Sequence, residues 1–411
     1  MAEVCYPPGL LGVDAAVERL LLRARSQTLT TELVNLTLAH GRVLAADIRA
    51  AMDVPPQANS AMDGIAFCHA DMPVSRLLPL SQRIAAGHAP QPLPPGTAAR
   101  IFTGAILPAG ADTVAMQENC EFREGAVFLK TLPECGANVR PAGQDIAQGS
   151  VVMSAGERLT PAALGVLASL GLREISVFRR LRVAVLSTGD ELLEPGEPWL
   201  PGMIYNSNRP LLSALLQGWE CEVVDLGRVP DARAATEKAF LQAAEKKVDV
   251  LISSGGVSVG EEDHVKAALL AQGELDFWKI AIKPGKPVAL GKIQGMDFIG
   301  LPGNPQSVFI TALIVARPFL LARQGQHRIT SETLSVPAAF SRRKAGDRRE
   351  YLRVQLQQGE NGLCLGVHPQ QSSGALLSAH WADGLALVEA GVSVAPGALL
   401  PFLSLSRLYR P

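Results

Sequence analysis

The chain is poor in aromatic residues: Phe, Trp and Tyr make up 5% of its 411 positions. Stacking platforms for single-stranded nucleic acid need more than that. Neither charge is in excess, since 38 Lys and Arg against 39 Asp and Glu leave a net charge of −1. Phosphate-backbone binding needs a basic surplus, so no nucleic-acid partner is expected. Cysteines are few and scattered (Cys5, Cys68, Cys120, Cys135, Cys221, Cys364), with no C-x-x-C pair. That excludes a zinc ribbon or a disulfide framework and reads as reduced thiols. The seven histidines show no metal-ligand spacing, and G-x-S-x-G, Cys–His and H-E-x-x-H signatures are missing. Acyl transfer and zinc-dependent hydrolysis therefore have no support. No basic stretch followed by an apolar core opens the chain, and no apolar run approaches the ~18 residues of a membrane span. A cytoplasmic protein with no membrane partner is expected.

Glycine (38) and proline (29) are abundant, and they cluster. Hydrophobic residues at 47% and charged residues at 19% exclude general disorder. The length corresponds to roughly 2 to 4 domains, each able to bury a core without staples.

Between about residues 179 and 326, apolar β-rich runs alternate with helical patterns, which predicts a doubly wound α/β domain. RVAVLS (182–187), CEVVDL (221–226) and VDVLIS (248–253) are predicted strands. Ser207 or Asn208 is placed to cap a helix through Gln217, Asp231 to cap a second, and Asp263 a third. Asn304-Pro305 opens a long apolar helix to about Leu321, in which Pro318 is expected to kink or fray the last turn. Upstream, Asp14 is placed to cap a helix to about Arg25, and Thr160-Pro161 opens another, closed by Gly171. Short β-like runs between residues 51 and 145 predict a β-rich inserted domain that splits an N-terminal mixed region, 1–50 with 146–178. Alternation in REYLRVQL and GLALVEAGVSV predicts a C-terminal β-barrel-like domain over 327–411.

Open α/β sheets bind ligands beyond the carboxyl ends of their strands, which selects four loops here. SGGVSVG (254–260) has the composition of an anion cradle or of an ordinary Gly-rich turn. It is neither G-x-G-x-x-G nor a Walker A sequence. Lys283 and Lys286, each followed by proline, suit a small oxyanion, or are two solvated surface lysines. Lys279 joins Lys283 on one face if the strand continues between them. Glu191, Asp231 and Asp263 each follow a separate strand at the same sheet edge. Carboxylates beside an anion cradle repel the ligand unless Mg²⁺ bridges them to phosphate oxygens. For Asp231 and Asp263 plain helix capping is the other reading, and both roles can hold together. In the inserted domain, Asp63-Gly64 fits a simple turn, and Thr103 offers a hydroxyl at the end of a short strand.

Eight segments together carry a resemblance: PPQANSAMDGIAF, RIFTGAILPAGADTVAMQE, RVAVLSTGDEL, IYNSNRPLL, LISSGGVSVGEEDHV, WKIAIKPGKPVALGK, GLPGNPQSV and DRREYLRV. In this order they make the chain similar to the MoeA-type molybdopterin molybdenumtransferases, the family that includes the E domain of gephyrin. The resemblance implies an α/β domain of the molybdopterin-binding type within a four-domain homodimer, whose cleft is shared between subunits. It implies insertion of molybdenum from molybdate into adenylylated molybdopterin, with Mg²⁺ and release of AMP. It also implies a molybdopterin adenylyltransferase and acceptor molybdoenzymes as partners.

Carried onto this chain, the resemblance marks Asp63, Thr103, Asp145, Glu191, Asp231, Asp263, Lys279, Lys283, Lys286, Pro302, Asn304 and Pro305. Asp63, Glu191, Asp231 and Asp263 are the catalytic candidates, and the last three of them the metal ligands. Lys283, Lys286 and Ser258 are expected on molybdate or phosphate, with Arg353 and Ser373 contributing from the C-terminal domain. Two departures stand out. Gln144 occupies a usually acidic position beside Asp145, and Gln370–Gly374 matches the family loop only loosely. Two other activities share parts of this pattern: an adenylyltransferase, which is essentially the α/β domain alone, and a non-catalytic molybdopterin-binding scaffold. The large flanking regions argue against the first, and the intact acids and lysines against the second.

Overall fold

A computed structural model describes residues 10–27, 29–257, 264–360 and 362–411. Its centre is a six-stranded sheet in the order Glu222–Val229, Arg182–Thr188, Val250–Ser254, Met296–Leu301, Pro287–Ile293, Gly273–Lys279. The first four strands run parallel, and the last two add antiparallel. Residue alternation sorts the sheet's two faces. Val183, Val185, Val250, Ile252 and Ile299 pack under the helices Asn208–Gly218 and Pro305–Thr311. Ala184, Leu186, Leu251 and Phe298 pack under Arg233–Glu245 and His264–Gln272. Coverage of both faces is why these strands read as continuous apolar runs.

The N-terminal helix Val13–Arg25 joins this core through Val13, Ala16, Leu20 and Ala24. The helix thus belongs in sequence to the N-terminal stretch but packs on the α/β core. Asp14 does not cap it. Gly12 is the N-cap, and Asp14 makes a bidentate ion pair with Arg349 at 2.6 and 2.8 Å. Arg23 reaches the fully buried Asp297 at 2.7 Å, and Arg323 reaches the other carboxylate oxygen at 3.2 Å.

Beyond that helix the chain leaves and returns. Thr31–Asn35 pairs with Glu174–Phe178, and Ile48–Arg49 with Val151–Met153. The intervening residues form a second six-stranded sheet containing Gly64–Phe67, Leu77–Ile84 and Ala98–Ile101. Thr160 caps the helix Pro161–Ser169 through the Ala163 amide, as Thr-Pro predicts. After residue 334, the strands Arg349–Gly359, Gly384–Val388, Leu399–Ser404 and Leu334–Pro337 follow one another, with Gly362–Val367 on the outer side of the first. A bridge between Ala338 and Leu365 closes them into a small barrel around Val354, Leu365, Ala386 and Phe402.

The helical stretch 305–323 differs from expectation. Pro318 does not fray its end. Ala312–Ala316 instead takes the wider i→i+5 turn, just ahead of the residue that lacks an amide hydrogen. At nineteen residues, Pro305–Arg323 is by length and composition able to span a membrane, so one run does reach that size. It is 83% buried inside the protein and is a core helix.

Among the described cysteines, Cys68, Cys120, Cys135, Cys221 and Cys364 are unpaired. Burial pushes the Cys120 thiol up to about 11 and the Cys221 thiol up to about 12, so neither is a thiolate at neutral pH.

Candidate functional site

A cavity of 420 Å³ opens beyond the carboxyl ends of Arg182–Thr188, Val250–Ser254 and Met296–Leu301. Its walls come from residues 204–208, 254–257 and 302–305, with Glu191, Asp231 and Pro287. Two glycines set its floor. A Cβ on Gly255 (φ +91°) would stand 2.6 Å from the Thr188 carbonyl, and one on Gly256 (φ +65°) 2.3 Å from Val265 Cγ2. The strand-to-helix passage admits only glycine there. Gly256→Ala is expected to cost about 2 kcal/mol more than Gly295→Ala. Gly295 shares the positive φ but has no atom nearby. Urea unfolding of the two variants checks this.

Asp231 is not a cap. The helix starts at Arg233 behind Ala232, with no side-chain cap bond, and the Asp231 carboxylate lines the cavity. Its backbone amide donates to Asp190 Oδ1 at 3.1 Å. Desolvation, with repulsion from Asp190 and Glu191, holds the Asp231 carboxyl above the usual range. Asp190 and Glu191 are thus close enough to matter electrostatically. Asp190 stands in the same STGDEL run as Glu191 but carries no motif signal of its own. Pro302, Asn304 and Pro305 line the opposite wall. Ser258 and Asp263 lie outside the described residues.

Two oxygens of this wall, Thr188 Oγ1 and Asn208 Oδ1, are buried without a hydrogen-bond partner among the described residues. Asn208 Nδ2 donates to the Gly303 carbonyl at 2.7 Å, which fixes the amide. Neighbouring Asn206 is engaged at both ends, by Glu194 and by the Arg209 amide. Asn208 and Thr188 therefore offer acceptors to a bound molecule, and the motif IYNSNRPLL held the first of them in plain view.

The three lysines are not in the lining, and the strand does not continue from Lys279 to Lys283. Gly273–Lys279 ends, Ile280 and Ala281 turn into the core, and Ile282–Lys283 pairs instead with Arg349–Glu350 of the barrel. Lys283 Nζ donates to the buried Glu350 at 2.9 Å, and Arg342 pairs with the same carboxylate. Glu350 lies within DRREYLRV, but its pairing with residue 283 cannot be read from spacing. Lys286 immediately precedes the wall residue Pro287.

Arg353 is buried. It donates to Ser378 Oγ and to the carbonyls of Gln370 and Ser372 at 3.1–3.3 Å. Its guanidinium shapes a loop, and that loop brings the Ser373 carbonyl onto the Gln306 amide at the start of the helix Pro305–Thr311. Desolvation lowers the Arg353 pKa to about 10, so it stays charged.

Asp63 and Thr103 meet each other but not the cavity. Asp63 Oδ1 accepts from the Thr103 amide at 2.8 Å and hydroxyl at 2.7 Å, which, with Arg100 nearby, lowers its pKa. Gly64 is needed beside it, because a Cβ would stand 1.9 Å from the Ala115 carbonyl. Asp145 is exposed, with its amide bonded to the Val54 carbonyl, and it too is absent from the lining. Among the described residues no group of three His, Cys, Asp or Glu side chains converges as a preformed metal cage.

A switch-point cavity in an α/β domain, flanked by an inserted sheet and a barrel, defines a ligand-handling multidomain protein. Comparison with known proteins sharpens that class. Residues 11–171 match the MoeA N-terminal region (domain I and II), 184–322 a probable molybdopterin binding domain, and 335–405 the MoeA C-terminal region (domain IV). A molybdopterin molybdenumtransferase of Haemophilus influenzae is 43% identical, over 84% of this chain and 85% of its own. One from Synechococcus elongatus is 36% identical, over 91% and 95%. A crystal structure of the molybdopterin biosynthesis MoeA protein from Pyrococcus horikoshii superposes with a TM-score of 0.82 at 25% identity, over 96% of this chain and all of that one. The chain belongs to the MoeA family of molybdopterin molybdenumtransferases.

Proposed function

We propose that the protein inserts molybdenum from molybdate into adenylylated molybdopterin and releases AMP. The observation that carries this reading is the 420 Å³ cavity, with Asp231 and Glu191 in its lining and unpartnered neutral acceptors in its wall. Such a lining offers carboxylates for a cation that bridges phosphates and neutral acceptors for a heterocycle.

These carboxylates fit Mg²⁺, because Asp231 is destabilised as an anion by burial and by neighbouring Asp190 and Glu191. Glu191 and Asp231 would hold the ion, with Asp263 the third candidate. Bound there, Mg²⁺ supplies neutralisation of phosphoanhydride charge. The chain's own residues do the rest. Asn208 and Thr188 orient the substrate, and the Ser373 loop closes over the start of the helix Pro305–Thr311. Lys286, next to the wall residue Pro287, and Lys283, whose ammonium Glu350 holds, would supply the cations for oxyanions. The substrate's dithiolene is itself the soft ligand that takes molybdenum, so positioning is the protein's main contribution. Glu350→Gln is expected to weaken molybdate binding about 5- to 10-fold by releasing Lys283, as titration calorimetry would read.

Asp63 and Thr103 lie apart from the cavity of their own chain. A homodimer in which they enter the partner's cleft gives them a role. Residence in the cytoplasm, and exchange with a molybdopterin adenylyltransferase and with molybdoenzyme acceptors, complete the proposal. The test is chromatography of AMP from purified protein incubated with adenylylated molybdopterin and Mg²⁺, with and without molybdate. Molybdate-stimulated AMP release, with activation of a molybdenum-free apoenzyme, is expected. Tight binding without AMP release overturns the enzymatic reading.

A further inference from the structure

The inserted domain carries an arrangement that the reading above leaves unused. Arg83 and Arg100 stand opposite each other on the parallel strands Leu77–Ile84 and Ala98–Ile101. Like charges directly across a sheet repel, so the pairing needs a compensating partner. No carboxylate forms an ion pair with either one among the described residues, and the nearby Asp63 uses Oδ1 on Thr103. Aromatic faces hold them instead. The Arg83 guanidinium lies 4.6 Å from the Phe102 ring centroid, and Arg100 lies 5.5 Å from Phe102 and 4.1 Å from Phe122. A guanidinium stacked on a ring is fixed in orientation while its N–H edge stays free for planar recognition of an oxyanion. Arg100 gives one hydrogen bond, to Gln117 at 2.9 Å. The Arg83 donors are unengaged among the described residues.

We propose that Arg83 and Arg100 form a diphosphate-binding pair, one guanidinium for each phosphoryl group. Neighbouring strands lie ~4.8 Å apart, the scale of a single diphosphate. The proposal rests on the reading of a nucleotide-bearing substrate in a cleft shared by two copies. It adds a cationic side, supplied by the inserted domain, to the carboxylates of the cavity. Thr103 follows directly after Phe102, so the Asp63–Thr103 turn and the arginine pair reach such a ligand together.

The test compares ADP, AMP and molybdate as probes, titrated calorimetrically into the full-length wild type, Arg83→Gln, Arg100→Gln and Arg83→Lys. The wild type is expected to prefer ADP over AMP. Either glutamine variant should lose about 10-fold or more in ADP affinity, the effect of a lost charge-assisted hydrogen bond, and change little toward AMP. Arg83→Lys should fall between, since it keeps the charge and loses the stacked fork. An unchanged ADP-to-AMP ratio in the variants overturns the proposal, as does a loss confined to molybdate. AMP release by the wild type is scored separately. If it persists while the ratio is unmoved, the arginine pair alone is refuted. If AMP release and ADP binding are both missing, the transferase reading falls as well.

Discussion

Asp231→Asn is expected to lower AMP release about 10²- to 10³-fold while making the metal-free protein more stable at pH 7. The loss follows from removing one of the two carboxylates proposed to hold Mg²⁺ against the phosphates, the magnitude found when a preorganised electrostatic partner is deleted. The gain follows from the environment of the side chain. Burial and the nearby Asp190 and Glu191 raise its pKa in the folded state, so the native protein binds the proton more tightly than the unfolded chain does. Ionised Asp231 therefore opposes folding above its native pKa, and this penalty fades as pH falls toward the ordinary aspartate value. The melting temperature of the variant should exceed that of wild type at pH 7, and the difference should shrink on acidification. A lower melting temperature for the variant at pH 7 would falsify this account of the site.

Asp297→Asn should be among the most destabilising single substitutions in the chain, at about 3–5 kcal/mol. The carboxylate is fully buried and joins Arg23 of the first helix to Arg323 of the last core helix. Removing its charge leaves Arg323, which has almost no access to water, without this carboxylate, while Arg23 keeps only Asp276 at 2.6 Å. With several domains, one unfolding transition does not describe the whole chain, so the effect belongs to the urea midpoint of the α/β core. Release of the Val13–Arg25 helix to protease ahead of the rest is the accompanying signature.

The α/β domain was legible because its strands are short apolar runs between helical patterns, and Val183/Val185 against Ala184/Leu186 divide as alternation requires. The cavity loops were legible for the same reason, since strand ends select them. What escaped depends on distant pairings. The first helix gives no sign in sequence of what it packs against, yet Arg23 is held by residue 297. Lys279 and Lys283 have the spacing of one strand, but Ile282–Lys283 belongs with residues 349–350. Asp231 has the sequence position of a cap, and only the approach of Asp190 and the start of the helix at Arg233 show it in the cavity wall. Arg353 resembles a ligand-binding arginine, while its hydrogen bonds show that it organises the loop of Ser373.

The widened turn at 312–316 has a consequence for how this chain can vary. It holds one residue more than a regular helix would use between Thr311 and Arg317. Deleting one residue there would restore a regular spiral and leave 305–311 and 317–323 near their present relative orientation, because the wide turn takes up one extra residue in about the same sweep of angle. Inserting a further residue would instead turn 305–311 by about 100° relative to 317–323, so that Pro305 and Ser307 would leave the cavity wall while Arg323 stayed fixed on Asp297. The length of this segment is thus set from both ends, by the ligand cavity on one side and a buried charge on the other. A single deletion within 312–316 should therefore be tolerated more readily than a single insertion.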